Sequence, residues 1–261
     1  MAASAAVGSG ATGTGGRFVA MLAWTGLGLA LLCALGTLAG GLGYRAGWWA
    51  YSVGTQMVRW FASADLAALV LALLALVLAL RSANRRMCMV AGAGLLLGFL
   101  VGGMPLTLWL KVGEVPRIHG ISTDTLNPPR FVAILPLRQG VPNSTNYTPE
   151  VAALQKKGYP DIGPVSLAMA PPQALKAAEQ VARSIGWEIV AVDPVELRLE
   201  ATATSLLFGF KDDVVIRVAA EGAGSRVDMR SLSRVGRSDF GVNAKRVRAF
   251  TGALAAAQAR G

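Results

Sequence analysis

Residues 66–80 read LAALVLALLALVLAL, an unbroken run of alanine, leucine and valine. With residues 62–65 in front of it, this run is long enough to cross a bilayer core of about 30 Å as a helix. Two further apolar runs, at 18–42 and 87–110, flank it on either side. The pattern predicts three transmembrane helices and therefore a membrane domain at residues 17–110.

The composition of the chain agrees with a membrane region followed by a water-soluble one. Of its 261 residues 53% are hydrophobic, and the mean hydropathy is +0.48. The apolar excess lies before residue 111, and the roughly 150 residues that follow suffice for one compact domain. Residues 1–16 are mostly small and carry no charge, so we expect a disordered tail there.

The first apolar run has a second interpretation. A signal peptide cleaved among the small residues near Ala39 would also begin with such a run, but its apolar core is usually shorter, about 7–15 residues. The run at 18–42 is longer than that. A transmembrane helix is therefore the favoured interpretation.

Aromatic residues concentrate between the first two runs, at 43–61. They include Trp48, Trp49, Tyr51, Trp60 and Phe61. Such side chains favour the boundary between hydrocarbon and head groups, so we expect a loop along the membrane interface. A loop in water, with its aromatics packed on neighbouring helices, is the alternative.

Few polar features interrupt the predicted spans. Asp65 is the one acidic residue in the membrane domain, and it stands at the end of its predicted span. Ion and proton pathways need ionisable groups inside the spans, so the sequence does not indicate transport. Gly94 and Gly98 form a G-x-x-x-G pair, which permits close helix packing.

The distribution of arginine predicts an orientation. Arg81, Arg85 and Arg86 lie in the short loop between the second and third runs, on the same side as Arg17. Because basic residues favour the cytoplasmic side, this loop should be cytoplasmic. Three spans then place the C-terminal domain on the far side of an inner membrane, in the periplasm of a cell with two membranes.

Charge and cysteine content narrow the classes of function. We attribute the formal net charge of +10 to contact with anionic membrane lipid rather than to nucleic acid. Cys33 and Cys88 both fall in or beside the apolar runs. The C-terminal part therefore contains neither a disulfide nor thiolate chemistry.

Beyond the membrane domain the sequence predicts two regions. Residues 111–160 are rich in Pro, Asn, Thr and Gly and should form an irregular linker, with one short strand at 131–135. Residues 161–261 should form an α+β domain. Its first strand lies at 164–168, and a helix then runs from Pro171 to Gly186, where Pro and Gly act as start and stop signals.

Alternation of apolar and polar residues predicts the rest of the sheet. The strands are expected at 187–192, 195–204, 214–218 and 226–234, with a hairpin turn at 221–224. Ser238 and Asp239 resemble a helix cap. The final helix should carry an apolar stripe made of Phe240, Val247, Phe250 and Leu254.

These elements predict an antiparallel sheet of about five strands with two helices on one face. The opposite face should be solvated, with its opposite charges paired across strands. It carries Glu196, Arg198, Glu200, Arg217, Asp228 and Arg230.

Two segments identify a family. FGFKDDVVIR at 208–217 and SRVDMRSLSRVGRSDFGVN at 225–243 closely resemble the bacterial and plastid family called domain of unknown function 1499. The resemblance covers residues 159–254, and residues 123–136 resemble its membrane-anchored members. It implies a domain in an envelope setting and no particular reaction. The cysteine near the start of shorter members has no counterpart here.

The two segments also supply a candidate ligand site. Two strand ends and a helix start should bring together Lys211, Asp212, Asp213, Arg230, Ser231, Ser233, Arg234, Arg237, Ser238, Asp239 and Asn243. Arginines beside the free N–H groups of a helix N-terminus suit a phosphate or carboxylate, such as a lipid head group. The alternative is structural: Asp212 and Asp213 pair with Arg230 or Arg234, Ser238 and Asp239 cap the helix, and Asn243 fixes a turn.

The sequence does not favour catalysis. The single histidine, His119, lies in the predicted linker, from where a Ser–His–Asp arrangement would have to recruit it. Asp212 and Asp213 are adjacent, so on a strand they point to opposite faces. No pattern predicts a metal site or a cofactor.

The favoured function is therefore a non-enzymatic module that binds a lipid, an anionic ligand or an envelope protein. One alternative is a hydrolase that acts on an envelope component. Another is a membrane assembly subunit that works through its glycine-rich third span.

Overall fold

The structure is a computed structural model that describes residues 13–111, 113 and 115–258, without the side chains of 104–106 and 108–111. Most of the tail predicted at 1–16 lies outside the described residues. The chain divides after Leu110 into two compact units.

The first unit consists, in its described part, of three helices. They are α1 (Thr14–Arg45), α2 (Tyr51–Arg81) and α3 (Arg85–Lys111). Each contains a stretch long and apolar enough to cross a membrane, as the runs of alanine and leucine predict. The prediction of three apolar helices near the N-terminus is confirmed.

The loop between the first two helices is much shorter than the range predicted at 43–61. Only residues 46–50 separate α1 from α2, and Tyr51, Trp60 and Phe61 are helical. Trp49 folds back on α1, where its indole Nε1 donates a hydrogen bond to the Gly40 carbonyl at 3.1 Å. The apolar pattern of 66–80 therefore marks only the second half of a longer helix.

Asp65 lies inside this longer helix. Because α2 runs from Tyr51 to Arg81, Asp65 is near the middle of the helix, although it stands at one end of the apolar run that predicts the span. Its side chain is fully buried.

Small residues allow the three helices to approach closely. A Cβ atom added at Gly26 would stand 2.9 Å from the Ala72 backbone nitrogen, and one at Gly94 would stand 3.3 Å from the Leu27 backbone. Buried alanines of α1, α2 and α3 share one apolar cluster. Glycine and alanine thus set the packing of this unit.

The second unit is an α+β domain. In chain order its described elements are β1 (Gly120–Ser122), a 3-10 helix (Leu135–Arg138), α4 (Pro149–Gly158), β2 (Val165–Leu167), α5 (Pro171–Ser184), β3 (Glu188–Asp193), β4 (Arg198–Thr204), β5 (Lys211–Glu221), β6 (Gly224–Ser233) and α6 (Val242–Gln258). The region predicted as an irregular linker therefore contains both a strand and a helix.

The sheet is antiparallel throughout. Its order is β1-β6-β5-β4-β3, and β2 pairs with β6 as well. β1 contacts residues 230–232 of β6 and β2 contacts residues 225–227, so the two short strands lie one after the other along the same edge. The predicted antiparallel sheet is confirmed, with β1 as an additional strand.

One face of the sheet packs against α5 and α6. Apolar residues of β4, β5 and β6 form the main core there with Leu175, Phe250 and Leu254. Trp187 stacks on Phe250 with ring centroids 5.4 Å apart. Two helices on one face agree with the prediction. Phe240, however, precedes α6 and is 39% exposed, so it is not part of the apolar stripe predicted for that helix.

The opposite face is covered and not solvated, which corrects the prediction of an exposed charged face. Residues 123–148, here called the cover segment, lie over it. Phe131 and Ile134 of this segment pack on Val215 and Leu232 of the sheet. Residues 131–134 form no strand, contrary to the prediction, and lead into the 3-10 helix.

Candidate functional site

The sheet separates the predicted site residues into two groups, because successive residues of a strand point to opposite faces. Asp212, Ser231, Ser233, Asp239 and Asn243 lie with α6 on the helical face. Asp213, Arg230 and Arg234 lie under the cover segment. Lys211 and Arg237 are exposed, and Ser238 is half-buried.

The group on the helical face is centred on Asn243, which is fully buried. Its amide nitrogen donates to the Ser233 hydroxyl at 2.9 Å and to the His119 carbonyl at 3.1 Å. Its amide oxygen accepts from the Ser231 hydroxyl at 2.6 Å. Asn243 therefore joins the start of α6 to β6 and to the segment before β1.

Asp212 belongs to the same group and pairs with Arg246 of α6 at 2.6 Å. Arg246 was absent from the predicted set because it lies a turn beyond the family motif. Its guanidinium also donates to the Ser231 hydroxyl at 3.0 Å. The Asp212 charge is thus neutralised within the chain.

Asp239 caps α6, as predicted. Its carboxylate accepts from the backbone nitrogens of Gly241 at 3.0 Å and Asn243 at 2.9 Å. Burial raises the pKa of Asp239, although these hydrogen bonds act in the opposite direction. The two N–H groups already have an acceptor, so this helix terminus is not the open anion site that the sequence suggested.

Under the cover segment, Asp213 is fully buried between two arginines. Arg234 binds both of its oxygens, at 2.8 and 2.9 Å, and Arg138 of the cover segment binds one at 2.5 Å. The predicted pairing of Asp213 with Arg234 is confirmed. Arg138 was missed because its segment had no regular pattern.

Glu200 provides a second attachment for the cover segment. Its carboxylate is 1% exposed and accepts hydrogen bonds from the backbone nitrogens of Val132, Ala133 and Ile134 at 2.9–3.1 Å. The alternation of the sequence predicted that Glu200 faces solvent. Its carboxylate instead accepts hydrogen bonds from the backbone of the cover segment.

A third attachment joins charges at the start of the cover segment to the sheet. Asp228 is buried and binds Arg217 across the strands at 3.0 Å, which agrees with the predicted cross-strand pairing. Arg217 also binds Asp124 at 3.0 Å. The Thr123 hydroxyl contacts the other oxygen of Asp228 at 3.1 Å.

Arg230 differs from every neighbour just described. It is 4% exposed, yet among the described residues no carboxylate pairs with it. Its guanidinium carbon lies 5.2 Å from the Phe131 ring centroid and 5.4 Å from that of Tyr147. It donates one hydrogen bond to the Thr145 carbonyl at 2.6 Å, and its Nε has no partner in this part of the chain.

Burial shifts the pKa values of Arg230 and of the neighbouring Tyr147. The loss of water lowers the pKa of Arg230 to about 10, and repulsion from Arg138 lowers it as well. Burial also raises the pKa of Tyr147 to about 12. Both groups keep their protons at neutral pH, so the site carries a positive charge that no acidic side chain of the described residues pairs with.

Tyr147 is held in place by Gln155 of α4, which is itself hydrogen-bonded to the backbone of β1. Its hydroxyl donates to the Gln155 side-chain oxygen at 2.7 Å. Gln155, buried on α4, accepts from the Ser122 nitrogen at 2.9 Å and donates to the Ser122 oxygen at 2.6 Å. One aromatic wall beside Arg230 is therefore held by a satisfied, buried polar network.

A cavity of about 390 Å³ opens beside Arg230. Its polar lining comes from Asn127, Arg130, Thr145 and Asn146, and its apolar lining from Leu126, Pro128, Phe131, Leu135 and Tyr147. Leu126 is 89% exposed and Leu135 is 45% exposed. The cavity thus combines a buried cation with an aliphatic rim.

The fold and this site define a class: an α+β domain with one helical and one segment-covered sheet face, preceded by three apolar helices. The family model described as protein of unknown function (DUF1499) matches residues 120–254, and the chain belongs to that family. The matched region begins at β1, earlier than residue 159, and so includes the whole cover segment. No curated protein matches the chain.

Proposed function

We propose that this chain is a multi-pass membrane protein whose α+β domain binds an anion in the cavity beside Arg230. The buried guanidinium that lacks a carboxylate carries this proposal. Removing a charge from water costs several kcal/mol unless a partner compensates. Arg138 and Arg234 have such a partner in Asp213, and an anion in the cavity would supply one to Arg230.

The form of the site suits a phosphate or a carboxylate. A guanidinium presents its N–H groups in a planar fork that matches either oxyanion. Arg130 and the amides of Asn127 and Asn146 line the same cavity and offer further donors. Exposed Leu126 and Leu135 favour an anion attached to an aliphatic group, for which a lipid head group is the source nearest to a membrane-anchored domain.

A binding experiment tests the anion site. Inorganic phosphate should raise the thermal midpoint of the full-length protein in neutral detergent above that in chloride of equal ionic strength, because a ligand stabilises the state that binds it. Arg230→Gln should lose this shift. Arg237→Gln, which removes an exposed arginine outside the cavity, should keep it.

Two further comparisons show whether the anion binds at Arg230 and whether it is a lipid head group or a free anion. An equal phosphate shift in all three proteins, or no shift in any, would refute binding at Arg230. Native mass spectrometry after extraction from membranes then distinguishes the sources: a retained phosphatidylglycerol that Arg230→Gln loses indicates a lipid head group, and a phosphate shift without retained lipid indicates a free anion.

We also propose that the domain lies on the side of the membrane opposite the Arg81–Arg86 turn. Arg81, Arg85 and Arg86 flank the short connection between α2 and α3, and basic residues at the ends of spans favour the cytoplasm. Alkaline phosphatase fused after Gly113 should therefore be active in bacterial cells. An inactive fusion of normal abundance would reverse the orientation.

A further inference from the structure

Asp65 of α2 is the most unusual polar residue of the helical unit. Its side chain is fully buried, and neither carboxylate oxygen has a hydrogen-bond partner among the described residues. It is also the one acidic residue in residues 1–113. An unpaired acidic group buried among apolar helices is energetically costly and, in a membrane-spanning segment, marks a functional site by default.

The surroundings of Asp65 come from both neighbouring helices. On α3, a Cβ atom added at Gly102 would stand 3.0 Å from one carboxylate oxygen, and one added at Gly98 would stand 3.5 Å from the other. On α1, Cys33 is fully buried within electrostatic range of Asp65. The carboxyl thus lies against two glycines of α3, and among the described side chains no ion pair with a basic group is found for it.

Such surroundings cannot hold a carboxylate ion without a cation. Several kcal/mol separate an ionised carboxylate in a dry apolar site from one in water. A hard metal ion needs about six oxygen ligands, whereas α1, α2 and α3 contain no second carboxylate, and no group of three or more His, Cys, Asp or Glu that could hold a metal is found in the described chain. A proton needs only the carboxylate itself.

We infer that Asp65 is a proton-binding site in the contact between α2 and α3. With the proton bound, the carboxyl is neutral and packs against Gly98 and Gly102. When the proton leaves, the carboxylate must be hydrated, and water can reach it only if α3 separates from α2. The packing of α3 thus depends on proton concentration. This inference rests on the membrane insertion proposed above and is independent of the anion site.

Two observations on full-length protein in phosphatidylcholine vesicles test this site. Dicyclohexylcarbodiimide, an apolar reagent specific for protonated carboxyls, should label the peptide that contains Asp65 at about pH 6, and Asp65→Asn should lose that label. Labelling should decline in alkaline buffer. The exposed carboxylates of the α+β domain should remain unlabelled and serve as internal controls.

Amide hydrogen exchange supplies the second observation. The protection of α3 around Gly98, corrected for intrinsic exchange, should fall from about pH 6 to about pH 9 in the wild type. It should stay constant in Asp65→Asn, which mimics the neutral carboxyl. Absence of label together with equal pH dependence in both proteins would overturn the inference. Resistance of the protein to carbonate extraction shows separately that the helices are inserted.

Discussion

Two buried arginines, one in the cover segment and one beneath it, should respond to the same substitution to very different degrees. Arg138 and Arg230 are each less than a tenth exposed, but only Arg138 is paired with a carboxylate among the described residues. Arg138→Met leaves Asp213 with Arg234 alone. Breaking a buried pair costs about 3–5 kcal/mol, and the remaining arginine places the expected loss near 3 kcal/mol.

The balance for Arg230→Met is different. The substitution removes two ring contacts, each worth about 0.5–2 kcal/mol, and a charged hydrogen bond to Thr145 worth about 1.5–3 kcal/mol. It also removes a buried charge whose desolvation costs several kcal/mol and replaces it with an apolar side chain of similar length. We expect the opening free energy of the domain to change by no more than about 1 kcal/mol.

Hydrogen exchange of the central β5 amides in the full-length protein measures both effects. Arg138→Met should accelerate the slowest amides roughly a hundredfold, since each 1.4 kcal/mol or so is a factor of ten. Arg230→Met should leave them within about tenfold of the wild type. A loss in Arg230→Met as large as that in Arg138→Met would show that Arg230 supports the fold, and would refute the reasoning behind the anion site.

Three further predictions test the attachments of the cover segment, the single histidine and the helix packing. Glu200→Gln should speed exchange of the three backbone amides it accepts by about ten- to a hundredfold, and Glu196→Gln, an exposed control, should not; equal effects would contradict the attachment. Burial lowers the pKa of His119, so the folded state binds fewer protons and stability falls as pH drops through the ordinary value of 6.5. Replacing His119 with Asn should therefore reduce the pH dependence of the thermal midpoint between about pH 7.5 and 5.5. Parallel plots of midpoint against pH for the wild type and the variant would contradict this prediction. Gly26→Val should destabilise the helical unit in detergent, because its Cβ meets the Ala72 backbone at 2.9 Å, whereas Gly28→Val, with nothing within 4 Å, should not; similar melting of the two would exclude that close contact.

Sequence patterns predicted the elements whose side chains repeat regularly. Alanine and leucine mark the three helices, and alternation marks β4, β5 and β6. The cover segment has no such repeat, because its residues are held by single long-range contacts, such as Glu200 with the amides of residues 132–134. The same absence of local signal hid Arg138, while the helical start of α2 was obscured by aromatic and polar residues at 51–61.

Of the residues that line the cavity beside Arg230, only Arg230 itself was among the predicted site residues. The family motif contains Arg230, Arg234 and Asp213, yet adjacent motif residues point to opposite faces of the sheet. Asp213 pairs with Arg234 of the motif and also with Arg138, which is 75 positions earlier in the chain. Tyr147, which flanks Arg230, lies outside both motif segments as well. Pairing of buried charges is decided by tertiary contacts that local sequence does not encode.

The placement of β1 and β2 along a single edge has a kinetic consequence for the cover segment. Both short strands are hydrogen-bonded to β6, so the chain that runs between them is a closed loop tethered at each end. If the segment detaches from the sheet, its ends stay in place, and most of the entropy of loop closure need not be spent again. Reattachment is therefore faster than for a segment with one free end, because the search is confined to a tethered loop. A ligand beside Arg230 could thus exchange through brief detachment of the segment while the sheet remains folded.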